Sequence, residues 1–327
     1  MFHFYKLVIV LISLSVIACH SKEKPVTHSK PTCSATIKYA TGFTIDYYPD
    51  YKKVTIISPW QKNVVYARYY LLSDLKTKTP NDGQKIKVPI QTIGTASGTH
   101  YEFISLLNEF NSIKGICNPK TIYNPTLLKK WNENKLVDMG DPFSLNIERI
   151  QLLHPDLVMI SGFNQEDPIS KRLIEMGITV VYNNEWMETS LLARAEWIKF
   201  VSAFYNKEVL ADSIFDSIEK NYIDIKNKVQ KVTNKPSVMI GGNFKGTWYM
   251  PGGKSYMAGL LSDAGAAYFY THDTTTGSLP LNFEVVLNNF RKTDIWVGSL
   301  ANSMAELIAT DERHKLFKAA KNKQVYG

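Results

Sequence analysis

The rhythm of apolar and polar positions changes several times along the chain. From Gly42 to about Leu72, "FTIDYYPDYKKVTIISPW" and "VVYARYYLL" gather Val, Ile, Tyr and Thr into short runs broken by Pro and Asp, which predicts short antiparallel strands. "TPNDGQ" reads as a turn. Beyond it, strand-length apolar runs alternate with helix-like stretches: Val88 to Thr95, a helix from about His100 to Phe110, a short strand in "SIKGICN" and a helix over "NPTLLKKWNENKL". Asp156 to Ile160 is apolar enough for a buried parallel strand, and "DPISKRLIEMGITVVYNN" repeats the cycle of helix, Gly177 and strand. Strands alternating with helices predict a parallel sheet.

Residues 189 to 232 contain no proline or glycine and read as helix, divided at Asn206-Lys207. In the second half Leu210, Ile214, Ile218, Tyr222, Ile225 and Val229 form one apolar face, on a helix about 35 Å long at 1.5 Å per residue. "KPSVMIGGN" then opens a second α/β series, with a helix near 255 to 264, the strand "DIWVG", a helix over "SMAELIATDERHKLF" and a last strand in "KQVYG". The pattern predicts an α/β protein of two parallel-sheet lobes joined by one long interlobe helix, with extra antiparallel strands at the N-terminal end.

With 327 residues, 44% apolar and 12% aromatic, the chain has material for two cores. Its net charge of +8 is spread over the whole length without an arginine-rich arm, so nucleic acid is not an expected partner. At the N-terminus one cation, Lys6, precedes an apolar and hydroxyl run from Leu7 to Ala18, too short for a membrane span and the length of a signal-peptide core. Val16-Ile17-Ala18-Cys19 resembles a bacterial lipobox. Residues 1–18 are therefore expected to be a signal peptide, with Cys19 lipidated and 19–36 a flexible tether before a body that starts near Ile37. Cys33 and Cys117 remain, either paired or free; with Cys19 given to lipid, no cysteine metal cluster is available.

One tetrad occurs twice. "SLNIERIQLLHPDLVMI" and "PLNFEVVLNNFRKTDIWVG" each open a helix with Leu-Asn-x-Glu and continue into an apolar strand, placing Asn146 and Glu148 in correspondence with Asn282 and Glu284. Each Asn suits a helix cap, and each Glu lies in the first turn, where the dipole favours an anion. The pattern "N-x-E-x-I…P-D-L-V" resembles that of ABC-transporter substrate-binding proteins for siderophores, haem or cobalamin. The resemblance spans about 37 to 327, and "RAEWIKF", "TWYMPGG" and "TGSLPL" are similar to a Bacteroidetes lipoprotein branch of that class. It implies an N-terminal lobe over 37–188, interlobe helices over 189–232 and a C-terminal lobe over 233–327, hinging little around a cleft that holds the ligand. It implies a periplasmic, lipid-anchored monomer whose partner is an ABC permease with its ATPase, docked through Glu148 and Glu284. It also implies a further segment and terminal helix after "QVYG", so the C-terminal lobe is expected to be cut short or unusually small at Gly327.

Ligands of parallel sheets collect at the carboxyl ends of the strands, which directs attention to the loops there. "SGTHYEF" offers His100 near free backbone N–H groups, and "YNP" places Tyr123 on the rim. "NNEWMET" supplies Asn184, Glu185 and Trp186, and "GNFKGTWYMPGG" supplies Lys245, Trp248 and Tyr249. Rings flanked by glycine suit a large conjugated ligand such as an iron chelate, haem or corrinoid; no resident cofactor is expected. Direct metal capture by His100, Glu185 and His272 is an alternative, with His154 and His314 expected on the surface. A lipoprotein that only scaffolds a surface complex is another. An enzyme is not expected. "GGKS" lacks the glycine a phosphate loop needs, Trp248 standing in its place, and "GTASG" has its serine one place away from a nucleophile elbow.

Overall fold

In a computed structural model of the chain, residues 30–164, 167–299 and 301–327 are described. The expected signal peptide, Cys19 and the start of the tether lie outside them. The chain first builds a five-stranded sheet in sequence order: β1 (Cys33–Ser34), β2 (Phe43–Tyr47), β3 (Lys52–Ile57), β4 (Val65–Leu72) and β5 (Gln84–Lys87). The first four strands are antiparallel, as the pattern predicts, whereas β5 returns parallel to β4. Period-two alternation turns Phe43, Ile45, Val54 and Ile56 inward. Ordered structure begins earlier than Ile37, because the Thr32 N–H donates to the Tyr47 carbonyl and Cys33 pairs with Tyr47 along the free edge of β2.

The N-terminal lobe follows: β6 (Ile93–Thr95), α1 (Gly98–Leu106), β7 (Ile113–Ile116), α2 (Pro125–Asn132) and β8 (Val137–Asp138). The hairpin of β9 (Gly140–Asp141) and β10 (Ser144–Leu145) leads into α3 (Ile147–Leu153), β11 (Leu157–Ile160), α4 (Pro168–Glu175) and β12 (Val180–Tyr182). Its sheet has the order β12-β11-β6-β7-β8, every pair parallel. All four residues of β11 are buried. The predicted strand from Val88 shrinks to three residues, since Pro89 has no N–H for a ladder.

α5 (Leu191–Ala203) and α6 (Glu208–Gln230) form the interlobe segment, separated by Asn206 in the left-handed region. α5 is buried almost all round, and its one acidic side chain binds backbone, as does that of Glu188 ahead of it. Glu196, fully buried, accepts the N–H groups of Lys38, Tyr39 and Ala40 at 2.7–2.9 Å. Glu188, just ahead of the helix, accepts those of Thr41 and Gly42, both at 2.9 Å. On α6, Ala211 and Phe215 pack into the N-terminal core with Leu210 and Ile214 beside them, whereas Ile225 of the predicted apolar face is exposed. Further along, α6 holds the other lobe instead: Tyr222 donates to Asp263 at 2.6 Å and Lys226 pairs with it at 2.8 Å.

The C-terminal lobe contains β13 (Ser237–Ile240), β14 (Asn243–Phe244), β15 (Thr247–Pro251), α7 (Tyr256–Asp263), β16 (Ala267–Tyr268), β17 (Ser278–Leu281) and α8 (Phe283–Phe290). β18 (Ile295–Val297), α9 (Met304–Thr310), α10 (Lys318–Lys321) and β19 (Val325–Tyr326) complete it. Its parallel sheet runs β16-β13-β18-β19; a second, antiparallel sheet of β14, β15 and β17 is absent from the sequence reading. The helix expected over 303–317 breaks at extended Asp311, and a 3₁₀ turn over 312–316 follows. That break turns His314 into the core rather than onto the surface. The ring is 3% exposed and packs on Trp296, Trp248 and Phe283, with its Nδ1 2.8 Å from the Leu307 carbonyl. Among the described residues Cys33 and Cys117 are unpaired, and burial pushes the Cys117 thiol up to about 12.

Candidate functional site

The carboxyl ends of β6, β11 and β12 converge on a sealed polar cluster. His100, in the first turn of α1, is fully buried; its Nε2 lies 3.7 Å from Glu185 Oε2 and 3.4 Å from Ser161 Oγ. Thr99 donates its hydroxyl to Glu185 Oε1 at 2.5 Å, and Asn184 Oδ1 accepts the Gly162 N–H at 2.7 Å. Burial works to raise the Glu185 carboxyl, but the adjacent His100 ring and the hydrogen bond from Thr99 outweigh it and hold the group below its ordinary value. Thr95 Oγ1, His100 Nδ1, Asn184 Nδ2 and Glu185 Oε2 are buried without a hydrogen-bond partner among the described residues. His100 and Glu185 were expected to face the ligand; the structure sets them beneath the surface, where they brace the turn that displays Trp186.

The accessible groups at these strand ends are rings. Phe143, from the β9–β10 hairpin, lies 4.4 Å centroid to centroid from Phe163, which follows β11; Phe163 lies 5.6 Å from Trp186, which follows β12. Their exposures are 65%, 38% and 36%, a continuous aromatic run open on one side. A hollow of about 230 Å³ adjoins it, with Pro142, Phe143, Leu145, Ile160, Ser161 and Phe163 among its walls. Sequence reasoning found Trp186 but not the two phenylalanines, although Phe163 follows a predicted strand; the short strands ahead of Phe143 carry no such signal. The loop carrying Phe163 is braced from the N-terminal sheet, where the Tyr66 hydroxyl donates to the Asn164 carbonyl at 3.2 Å. Gly162 fits there because a Cβ would stand 3.1 Å from Asn184 Oδ1 and 3.2 Å from both Trp60 and Tyr66. Tyr123 is almost fully exposed, next to Asn124, which caps α2.

The C-terminal lobe departs from expectation at one ring. Trp248 has no exposed surface: it donates Nε1–H to the Ile240 carbonyl at 3.0 Å and packs against Trp296 and Phe317. Alternation along β15 turns Trp248 and Met250 inward and Tyr249 outward, so Tyr249 is available and Trp248 is core. Lys245, also exposed, sits at the β14–β15 turn with φ of 50° and its ammonium 5.3 Å from the Phe244 ring centre.

The repeated tetrads do cap their helices. Asn146 accepts the Arg149 N–H at 3.0 Å and Asn282 the Val285 N–H at 2.9 Å. Glu148 and Glu284 both project to solvent from the first turns; Glu284 lies 3.4 Å from Arg313, which also stacks on Phe283. His272 is exposed in the C-terminal lobe, and among the described residues no three His, Cys, Asp or Glu side chains stand close enough together to hold a metal ion. The described helices include none long and apolar enough to cross a membrane.

Comparison with known proteins agrees with this architecture. An uncharacterised lipoprotein of Methanocaldococcus jannaschii is 31% identical over 278 residues, 79% of this chain and 69% of that one. A second from the same organism is 26% identical over 324 residues, 91% of this chain and 77% of the other. Among solved structures, a periplasmic haem-binding protein of Pseudomonas aeruginosa aligns over 72% of this chain and 83% of its own, with TM-score 0.57 and 19% identity. A molybdate periplasmic binding protein of Haemophilus influenzae aligns over 72% and 77%, with TM-score 0.59 and 17% identity. These likenesses bear on the fold alone. Residues 116–327, from the end of β7 to the last strand, match the periplasmic binding protein family, and that span includes the loops carrying Phe143, Phe163 and Trp186. The chain thus belongs to the periplasmic binding protein family, a family of solute binders rather than enzymes.

Proposed function

We propose that the protein captures a large, flat metal-bearing ligand between its lobes, an iron–siderophore chelate, haem or a cobalamin-type corrinoid, and delivers it to an ABC permease driven by its ATPase. The aromatic run of Phe143, Phe163 and Trp186 carries this reading. Three partly exposed rings in sequence are costly to leave in water and offer a conjugated ligand stacking area with little charge. Tyr123, Tyr249 and Lys245 are exposed and can contribute at the rim. Glu148 and Glu284 serve as the two permease contacts, one per lobe. The lipoprotein relatives support a location outside the cytoplasm with Cys19 lipidated.

The test is native mass spectrometry of protein purified from its own source, followed by titration with haemin, a ferric chelate and cobalamin. One of the three should bind, and Trp186→Ala and Phe163→Ala should each weaken it by about 1–3 kcal/mol, the scale of a lost stacking ring. Folded variants with unchanged affinity would remove the aromatic run from the site.

A further inference from the structure

The turn that displays Trp186 is pinned at both ends by buried carboxylates. Glu185 receives the Thr99 hydroxyl at 2.5 Å, and Glu188 receives the N–H groups of Thr41 and Gly42 and, at 3.0 Å, the Trp197 indole. Between these anchors the backbone is held by a different kind of group. Arg194, in the first turn of α5, donates Nη2–H to the Trp186 carbonyl at 2.6 Å and Nε–H to the Glu188 carbonyl at 3.2 Å. The same guanidinium lies 3.7 Å from the ring centre of Tyr256, the first residue of α7 in the opposite lobe. A planar guanidinium can do both, since its donors point outward in the plane while its face stays free to stack. The far end of α7 is fastened to α6 through Asp263.

We propose that Arg194 is a positioning residue that ties the placement of Trp186 to the position of the C-terminal lobe. While Tyr256 covers its face, the guanidinium is held in the plane that suits both carbonyls. If the lobes part, that face loses its ring and gains water, the side chain is freed to rotate, and the Trp186 carbonyl loses its donor. Lobe position and ring position therefore bias each other, as linkage requires of two states that share one contact. That Trp186 meets a ligand rests on the proposed function; the tie itself does not.

The chain has six tryptophans, so protein labelled with 5-fluorotryptophan gives six ¹⁹F lines, of which Trp186→Phe identifies one. The measurement uses ligand-free protein, which separates failure of the tie from failure of the ligand assignment. Tyr256→Leu leaves Arg194 and its carbonyl partners in place, yet it should shift or broaden the Trp186 line, with the Trp248 and Trp296 lines of the C-terminal core unmoved. Tyr256→Phe, which keeps the ring, should restore the Trp186 line. Arg194→Lys keeps the charge but not the fork, and should shift the Trp186 line and speed hydrogen exchange at the start of α7. A Trp186 line that moves in Arg194→Lys but stays in place in Tyr256→Leu would overturn the proposal, leaving Arg194 a local brace without connection to the other lobe.

Discussion

Replacing Glu196 tests whether the segment before β2 is held by α5. Its carboxylate takes three backbone N–H groups, from Lys38 at 2.8 Å, Tyr39 at 2.7 Å and Ala40 at 2.9 Å, and has no access to water. Hydrogen bonds to a charged group contribute about 1.5–3 kcal/mol each, and a donor left buried without a partner adds its desolvation cost. Glu196→Gln keeps one oxygen but turns an NH₂ toward the donors on the other side, so at least one bond is lost and the expected cost is about 2–3 kcal/mol. Glu196→Ala abandons all three. Lys199, 3.4 Å from Glu196, is not orphaned, since it keeps Asp212 at 3.2 Å and the Thr36 carbonyl at 3.0 Å. The alanine cost is then about 3–5 kcal/mol, that of breaking a buried charged network. Urea unfolding followed by far-UV circular dichroism measures the loss, and hydrogen exchange should show Lys38, Tyr39 and Ala40 losing protection while the C-terminal lobe is unchanged. Stability within about 0.5 kcal/mol of the parent, with those three amides still protected, would refute the reasoning.

Three further outcomes follow from particular residues. Trp248→Ala should destabilise the C-terminal lobe by about 3–5 kcal/mol in thermal unfolding, as for a buried aromatic; a stable variant with weakened ligand binding would return the ring to the site. Asp294 is held well below the usual carboxylate range, first by the Lys318 ammonium and then by the Ser237 hydroxyl and N–H. Because the folded value lies under the unfolded one, this contribution is complete above about pH 4 and fades as pH falls further. Asp294→Asn should consequently flatten the melting temperature against pH between pH 4 and pH 2, whereas curves parallel to the parent's would contradict the assignment. Reversing Glu148 and Glu284 to Lys should sharply reduce the ATP hydrolysis that the binding protein stimulates in vesicles holding the permease and its ATPase, leave ligand affinity intact and cost about 0.3–1 kcal/mol per helix; full stimulation would leave both residues as first-turn anions of their helices alone.

The two-lobed plan was legible because its signals are local. Buried parallel strands read as apolar runs, Asn124, Asn146 and Asn282 cap the helices they precede, and α5 and α6 occupy the longest stretch singled out as free of Pro and Gly. What escaped depends on partners far away in the chain. β14 has two residues and β17 lies 27 positions beyond the end of β15, so nothing local announces their sheet. Trp248 is core despite its glycine neighbours, and the alternation of Trp248, Tyr249 and Met250 carries that orientation. His314 sits among Trp248, Phe283 and Trp296, rings that only the fold brings together. The same holds for Phe143 and Phe163, which sit in separate loops 20 residues apart and meet only because β8 and β11 end on one side of the lobe.

The grip of α5 on the segment before β2 also sets a load path. A pull on Pro31 is resisted first by the short β1–β2 ladder and then by the Glu196 and Glu188 bonds to residues 38–42, which pass the force into α5. From there it spreads into the packed base that α5 shares with the start of α6. Drag or tension at that end therefore loads the base of the molecule first, and it reaches the C-terminal lobe only through the Arg194–Tyr256 contact and the bonds of α6 to Asp263.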